Sequence, residues 1–169
     1  MLIRTATATD AKGVLELLLR LDEETRFMMY EPGERSTSVD RQAETLRALL
    51  VSNNSTFLLA EEGGRPVGFL EATGGAFRRN RRNRHVAHLV IGVLEEHAGR
   101  GIGTALMVEA QRWARERGIR RLELTVETHN RAARALYEKM GFAVEGTRKD
   151  AMLVDGSYVD EYHMARLLG

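Results

Sequence analysis

No cysteine occurs among the 169 residues, which excludes disulfides, thiolate metal ligands and a cysteine nucleophile together. No apolar run approaches the roughly 18–20 residues of a membrane-spanning helix, and the opening MLIRTATATD has no signal-peptide apolar region. An excess of charge of one sign is also missing. The 25 basic and 24 acidic side chains leave a net +1, so no global field marks the chain for nucleic acid. Internal repeats, low-complexity tracts and Pro/Gly/Ser linkers are absent. One domain over residues 1–169 is therefore expected, soluble and cytoplasmic, with no membrane partner. Neither H-E-x-x-H nor the G-x-S-x-G elbow occurs. His85 and His88, three apart on an expected strand, face opposite sides, and no metal is expected.

What is present alternates between strand and helix patterns. MLIRTA reads as a short strand. Thr9 or Asp10 can cap a helix carrying Val14, Leu17, Leu18 and Leu21 at helical spacing. After the irregular ETRFMMYEPGERSTS, Ser38 can cap a second helix with Val39, Ala43, Leu46 and Leu50 on one face. STFLLAEE and RPVGFLEATG flank Gly63-Gly64 as a hairpin, and HVAHLVIGVL reads as a largely buried strand. A helix with Ile102, Leu106, Ala110 and Trp113 inward runs to Arg117 and stops at Gly118. RRLELTVE is a strand, and Asn130 can cap a helix with Ala133, Leu136, Tyr137 and Met140 as its stripe. Two strands around Asp155-Gly156 close the chain. The class is α/β or mixed α+β.

Between the buried strand and the third helix stands HAGRGIGTALM, residues 97–107, with Gly99, Gly101 and Gly103 in five positions. Each glycine costs entropy on ordering, so three before one helix call for a reason. A strand ending in such a turn presents free N–H groups at the positive end of the helix dipole, an arrangement that binds phosphate. A Walker loop is excluded because Gly103-Thr104-Ala105 stands where Gly-Lys-Ser/Thr is required. A dinucleotide fingerprint is disfavoured because Thr104 occupies the third glycine position. A tight turn serving only helix packing is the plain alternative.

VIGVLEEHAGRGIGTALM followed by LELTVETHNRAARALYEKMGF resembles the cofactor half of the GNAT superfamily of N-acetyltransferases. The likeness rests on Gly101 and Gly103, on Asn130 with Tyr137 seven residues later, and on Gly141-Phe142. It extends over essentially the whole chain and is strongest over residues 88–164. One departure is Ala98, where the family pattern has Gln or Arg. The resemblance implies a single domain with a central, mostly antiparallel, twisted sheet whose fourth and fifth strands splay apart between flanking helices. It implies acetyl transfer from acetyl-CoA to an amine. By position, the main chain of Ile91, Gly92 and Val93 would hold the pantetheine arm. The amides of Gly99, Arg100, Gly101, Ile102, Gly103 and Thr104 would hold the pyrophosphate, with the Arg100 charge offsetting Ala98. Asn130 would bond the pantetheine, and Tyr137 would meet the sulfur and give the leaving thiolate its proton. A main-chain N–H near Val93 is the expected oxyanion donor.

An amine with a pKa near 10 must lose a proton before attack. The family's glutamate base falls at about Ala87. His88 is adjacent, but alternation points it to the opposite face from Ala87 unless a bulge turns it; Glu71, Glu127, Glu24 and a water relay also stay open. With no nucleophile evident, direct attack in a ternary complex is expected. The expected acceptor is a small-molecule amine or amino acid; a protein N-terminus, and a CoA-binding module without turnover, are the alternatives. A nicotinamide enzyme is the third possibility. Phe27, Met28, Met29 and Tyr30 are either core or acceptor-pocket lining, and Glu24 and Glu31 could meet a cationic amine. FRRNRRNRH, residues 77–85, reads as a solvated connection and not as a nucleic-acid groove. A homodimer is expected from the family's habits alone.

Overall fold

The computed structural model describes residues 1–74 and 82–169. Most of the arginine-rich stretch, residues 77–81, therefore lies outside the described residues. The elements are β1 (Leu2–Thr5), α1 (Ala11–Glu24), α2 (Val39–Val51), β2 (Thr56–Glu62), β3 (Arg65–Gly74), β4 (Val86–Val93), α3 (Ile102–Glu116), β5 (Arg121–Glu127), α4 (Arg131–Lys139), β6 (Ala143–Val154) and β7 (Ser157–Leu167). They build one seven-stranded sheet in the order β1-β2-β3-β4-β5-β7-β6. All pairings are antiparallel except β4 with β5, which is parallel.

Alternation along the strands divides the apolar residues between two faces. Phe57, Leu59 and Phe69 point to α1 and α2, where they meet Val14, Leu17, Leu21, Leu46 and Leu49. Leu58, Leu70, Ala87, Leu89, Leu122 and Leu124 point the other way, to Leu106, Ala110 and Trp113 of α3 and Tyr137 of α4. The stripes expected on α1, α3 and α4 pack as their spacing dictates. The α2 stripe does not. Its inward face is Gln42, Leu46 and Leu49, whereas Val39 is 43% and Leu50 46% exposed. Adjacent leucines offered the helix two phases, and packing against Phe57 and Leu59 selects Leu49.

Asp10 stands at the N-cap of α1, one of the two residues expected there, but its side chain makes no cap bond to that helix. Asp10 accepts a hydrogen bond from the Thr7 N–H at 2.7 Å, one turn earlier, and closes the short 3-10 turn Ala8–Asp10. It simultaneously takes both Arg4 amino groups, at 2.9 and 2.7 Å. Ser38 caps α2 as its sequence context suggests, through the Arg41 N–H. The Asp155-Gly156 turn has φ of 49° and 78°, the double left-handed geometry that matches the twist of a two-residue hairpin.

Candidate functional site

The parallel pairing of β4 with β5 is brief. It runs through Val86↔Arg121, Ala87↔Leu122 and His88↔Glu123 and, among the described residues, goes no further. On its other side β4 stays paired with β3 as far as Gly68↔Val93. The Leu94 N–H donates to the Val67 carbonyl at 3.0 Å, which sets the phase of that ladder. Val90 and Gly92 therefore spend their main-chain groups on β3, while Leu89, Ile91 and Val93 turn theirs toward β5. The Thr128 N–H donates to the Asp160 carbonyl, and by the same alternation Thr125 turns its main chain into the gap from the β5 side. The splay thus leaves a strip of open strand edge, a template for any extended chain bearing amides. Of the three β4 residues singled out from the sequence, Ile91 and Val93 offer main-chain groups. Gly92 contributes by having no side chain, because a Cβ there would lie 2.8 Å from Phe69 Cε1 and 2.9 Å from Leu21 Cδ1.

The gap opens into a cavity of about 770 Å³ lined by Ile91, Gly92, Val93, Gly99, Gly101, Ile102, Gly103, Thr104, Asn130 and Tyr137, among others. This is within the range of small-ligand sites. Gly101 caps α3 with φ of +83°, in the left-handed region. Its carbonyl takes the first helical bond, from the Ala105 N–H at 3.0 Å. The N–H groups of Ile102, Gly103 and Thr104 accordingly have no acceptor inside the helix and stand at its positive end. Gly103 has a second reason to be bare, since a Cβ would meet Leu136 Cδ2 of α4 at 3.0 Å. The Arg100 side chain turns away from the lining. Its guanidinium rests on Glu62, at 3.0 and 3.2 Å, beside His97. What Arg100 can offer the cavity from there is its main chain.

Asn130 caps α4, its Oδ1 accepting from the Ala133 N–H at 3.2 Å, and the cap leaves Nδ2 unused. Tyr137 projects from the buried stripe of α4 to the cavity wall, its ring 6.2 Å from that of Phe142. Desolvation pushes its phenol well above the ordinary value, so it stays protonated through the neutral and mildly basic range.

The opposite wall belongs to the α1–α2 face of the sheet. Phe27, Met28, Met29 and Tyr30 line it, and Arg35 crosses the Tyr30 ring at 4.5 Å while gripping buried Asp22 at 2.6 and 3.0 Å. Ala87, the position matched to the family's base, is fully buried in the α3 core and cannot reach an acceptor. His88 is on the cavity side, together with Glu71, Glu127 and Glu161. Burial raises Glu71 above the ordinary carboxylate range, against a lowering contribution from Thr73. Glu24 is used elsewhere, taking Arg20 and the Glu95 N–H. Glu31 lies outside the lining, in a turn with Glu34. Glu161, Met152 and Arg35 escaped sequence reasoning. Only the β5–β7 register brings Glu161 beside Glu127, and no local pattern signals that pairing. Among the described residues, no group of three or more metal-ligating side chains is assembled, and no helix is long and apolar enough to cross a membrane.

The family model described as "Acetyltransferase (GNAT) family" matches residues 18–142. The chain is 42% identical over 90 residues to the L-amino acid N-acetyltransferase AaaT of Escherichia coli, a match covering 51% of this chain and about half, 54%, of that protein. Among solved structures, an acetyltransferase of the GNAT family from Streptococcus pneumoniae superposes with a TM-score of 0.94 at 33% identity, covering 99% of each chain. A GNAT superfamily phosphinothricin acetyltransferase from Sinorhizobium meliloti, solved in complex with acetyl-CoA, superposes with a TM-score of 0.85 at 25% identity. It is covered over 88% of its length by 99% of this chain. A splayed β4–β5 gap, a glycine-turned helix start beside it and these likenesses all agree, and the chain belongs to the acetyltransferase (GNAT) family.

Proposed function

We propose that the protein transfers the acetyl group of acetyl-CoA directly to the primary amine of a small molecule or an amino acid, within a ternary complex. The observation that carries this reading is the continuity of one cavity. It joins the unpaired edge of β4, the open N-terminus of α3 and Tyr137 on one wall to a carboxylate-bearing pocket on the other. The donor site fits the residues present. The Leu89 carbonyl and the main-chain groups of Ile91 and Val93 would hold the amides of the pantetheine arm as an added strand. Ile102, Gly103 and Thr104 would hold the pyrophosphate by their N–H groups, with Gly99, Gly101 and the Arg100 main chain shaping the turn. The bound thioester supplies the activated acetyl group. The Val93 N–H, directed into the gap, would bond the carbonyl oxygen as charge develops on it. Tyr137, kept neutral by burial, would donate to the departing sulfur.

The relatives named for L-amino acid and phosphinothricin acetylation support a small acceptor, as does a pocket roofed by the side chains of residues 27–30. The test is thiol release from acetyl-CoA across a panel of small amines, amino acids and N-terminal peptides. Release with small amines is expected. Release with peptides alone would move the acceptor to protein N-termini. Binding of acetyl-CoA with no release on any acceptor would leave a CoA-binding module in place of an enzyme.

A further inference from the structure

Glu127 ends β5 and Glu161 stands directly opposite it on β7. Their side chains are only 5% and 9% exposed, and both line the cavity. Like charges facing each other across a ladder are destabilising, and a buried carboxylate without a partner is more so. Glu161 is compensated, its Oε2 accepting from Arg148 Nη1 at 2.7 Å. Glu127 is not. Its Oε2 is buried without a hydrogen bond, and His129 Nε2, 3.4 Å away on an exposed side chain, lacks the geometry for one. The Phe27 ring lies 5.4 Å from that of His129, which narrows access to the pair from outside. A carboxylate in this setting asks for a cation delivered through the cavity.

On the transferase reading above, we propose that Glu127 and Glu161 form the subsite that receives the acceptor as its ammonium ion, and that the Glu127 carboxylate takes the first proton. The proton balance closes. An ammonium group has three hydrogens. One passes to Glu127 and then to solvent, which frees the nitrogen lone pair to form the C–N bond as the C–S bond breaks. The second leaves the nitrogen after attack, and the departing thiolate gains one from Tyr137, which recovers its own from that second. The third stays on the amide. Desolvation raises Glu127 above the ordinary carboxylate range, Glu161 adds to the rise and His129 opposes it, so its affinity for a proton moves toward that of the amine. The charged and titratable groups around the pair are Arg148 from β6 and His129 after β5. Glu71, His88 and Arg35 face it across the cavity.

Calorimetry with phenethylamine and with its uncharged counterpart phenethyl alcohol, on the intact protein with and without CoA, tests the subsite. Wild type should bind the amine at least tenfold more tightly than the alcohol. Glu127→Gln should lose that preference with unchanged CoA affinity, and Glu161→Gln should weaken it severalfold. The acidic limb of kcat/KM for phenethylamine should move in Glu127→Gln from the carboxylate's titration up toward that of the amine itself, near 10. No preference for the amine in wild type, or an equal preference in a folded Glu127→Gln, overturns the proposal. If Glu127→Gln fails to fold, an unaltered preference in Glu161→Gln overturns it equally. Binding is independent of turnover, so a wild type that prefers the amine yet releases no thiol keeps the subsite and refutes the transferase reading.

Discussion

Tyr137→Phe separates chemistry from packing at the donor end of the cavity. The substitution removes one hydroxyl and leaves the ring against Phe142, so stability should change by less than about 1 kcal/mol, a shift of roughly 2–4 °C at most for a chain of this size. Its effect on turnover depends on how the phenol serves the leaving sulfur. At reference values a phenol near 10 giving its proton to a thiolate near 8.5 runs about 2 kcal/mol uphill. Burial pushes Tyr137 higher still, so full transfer ahead of C–S cleavage is disfavoured and the larger contribution is a hydrogen bond to the developing charge. Such a bond to a charged group is worth about 1.5–3 kcal/mol, which corresponds to a loss of roughly 10- to 150-fold in kcat. CoA affinity should stay within about threefold, because the strand edge and the helix start do most of the holding. Thiol release at saturating amine measures the first quantity and calorimetry the second. An unchanged kcat, or a fall in kcat matched by an equal fall in CoA affinity, would refute the role. The raised phenol also means that Tyr137 contributes no basic limb to the pH–rate profile below about pH 10.

Two further substitutions probe the frame around the site. Gly101→Ala places a Cβ at φ of +83°, a conformation costing roughly 1–2 kcal/mol; thermal unfolding should shift downward by several degrees and CoA binding should weaken, whereas unchanged values would mean that the helix start is not held in this form. Asp10 is held down to about 2, from an ordinary 3.8, first by its hydrogen bond to Arg4. A depressed carboxylate adds stability that is present above its unfolded value and lost as pH falls toward 2. Discounted for the partly exposed Arg4, that is about 1–2 kcal/mol, so urea unfolding of Asp10→Asn should show a loss of this size at pH 7 and almost none at pH 2.

Much of the donor wall was legible in the sequence because its determinants are local. The glycines of residues 99–103 lie at a helix start whose φ of +83° at Gly101 is a backbone requirement, visible in any single chain that must make that turn. Asn130 and Tyr137 sit seven residues apart on one helix, which brings cap and stripe to the same wall. The acceptor wall was less legible because its residues meet only through register. Glu127 and Glu161 are joined by the β5–β7 ladder, and nothing near either residue announces the other. Alternation correctly set Ala87 and His88 on opposite faces, yet it could not say which face is core; Leu122 and α3 close over Ala87. On α2 the choice between Leu49 and Leu50 was likewise made by the sheet beneath, not by the helix itself.

The most direct test of the central claim is residue-resolved amide hydrogen exchange with and without saturating acetyl-CoA. Slowing of at least tenfold is expected at Ile91 and Val93 and at Ile102, Gly103 and Thr104, with little change at Val90 and Gly92, whose N–H groups already serve β3, or at Leu89, whose N–H already serves β5. Unaltered exchange at Ile91, at Val93 and at the start of α3, with acetyl-CoA bound, would contradict the central claim.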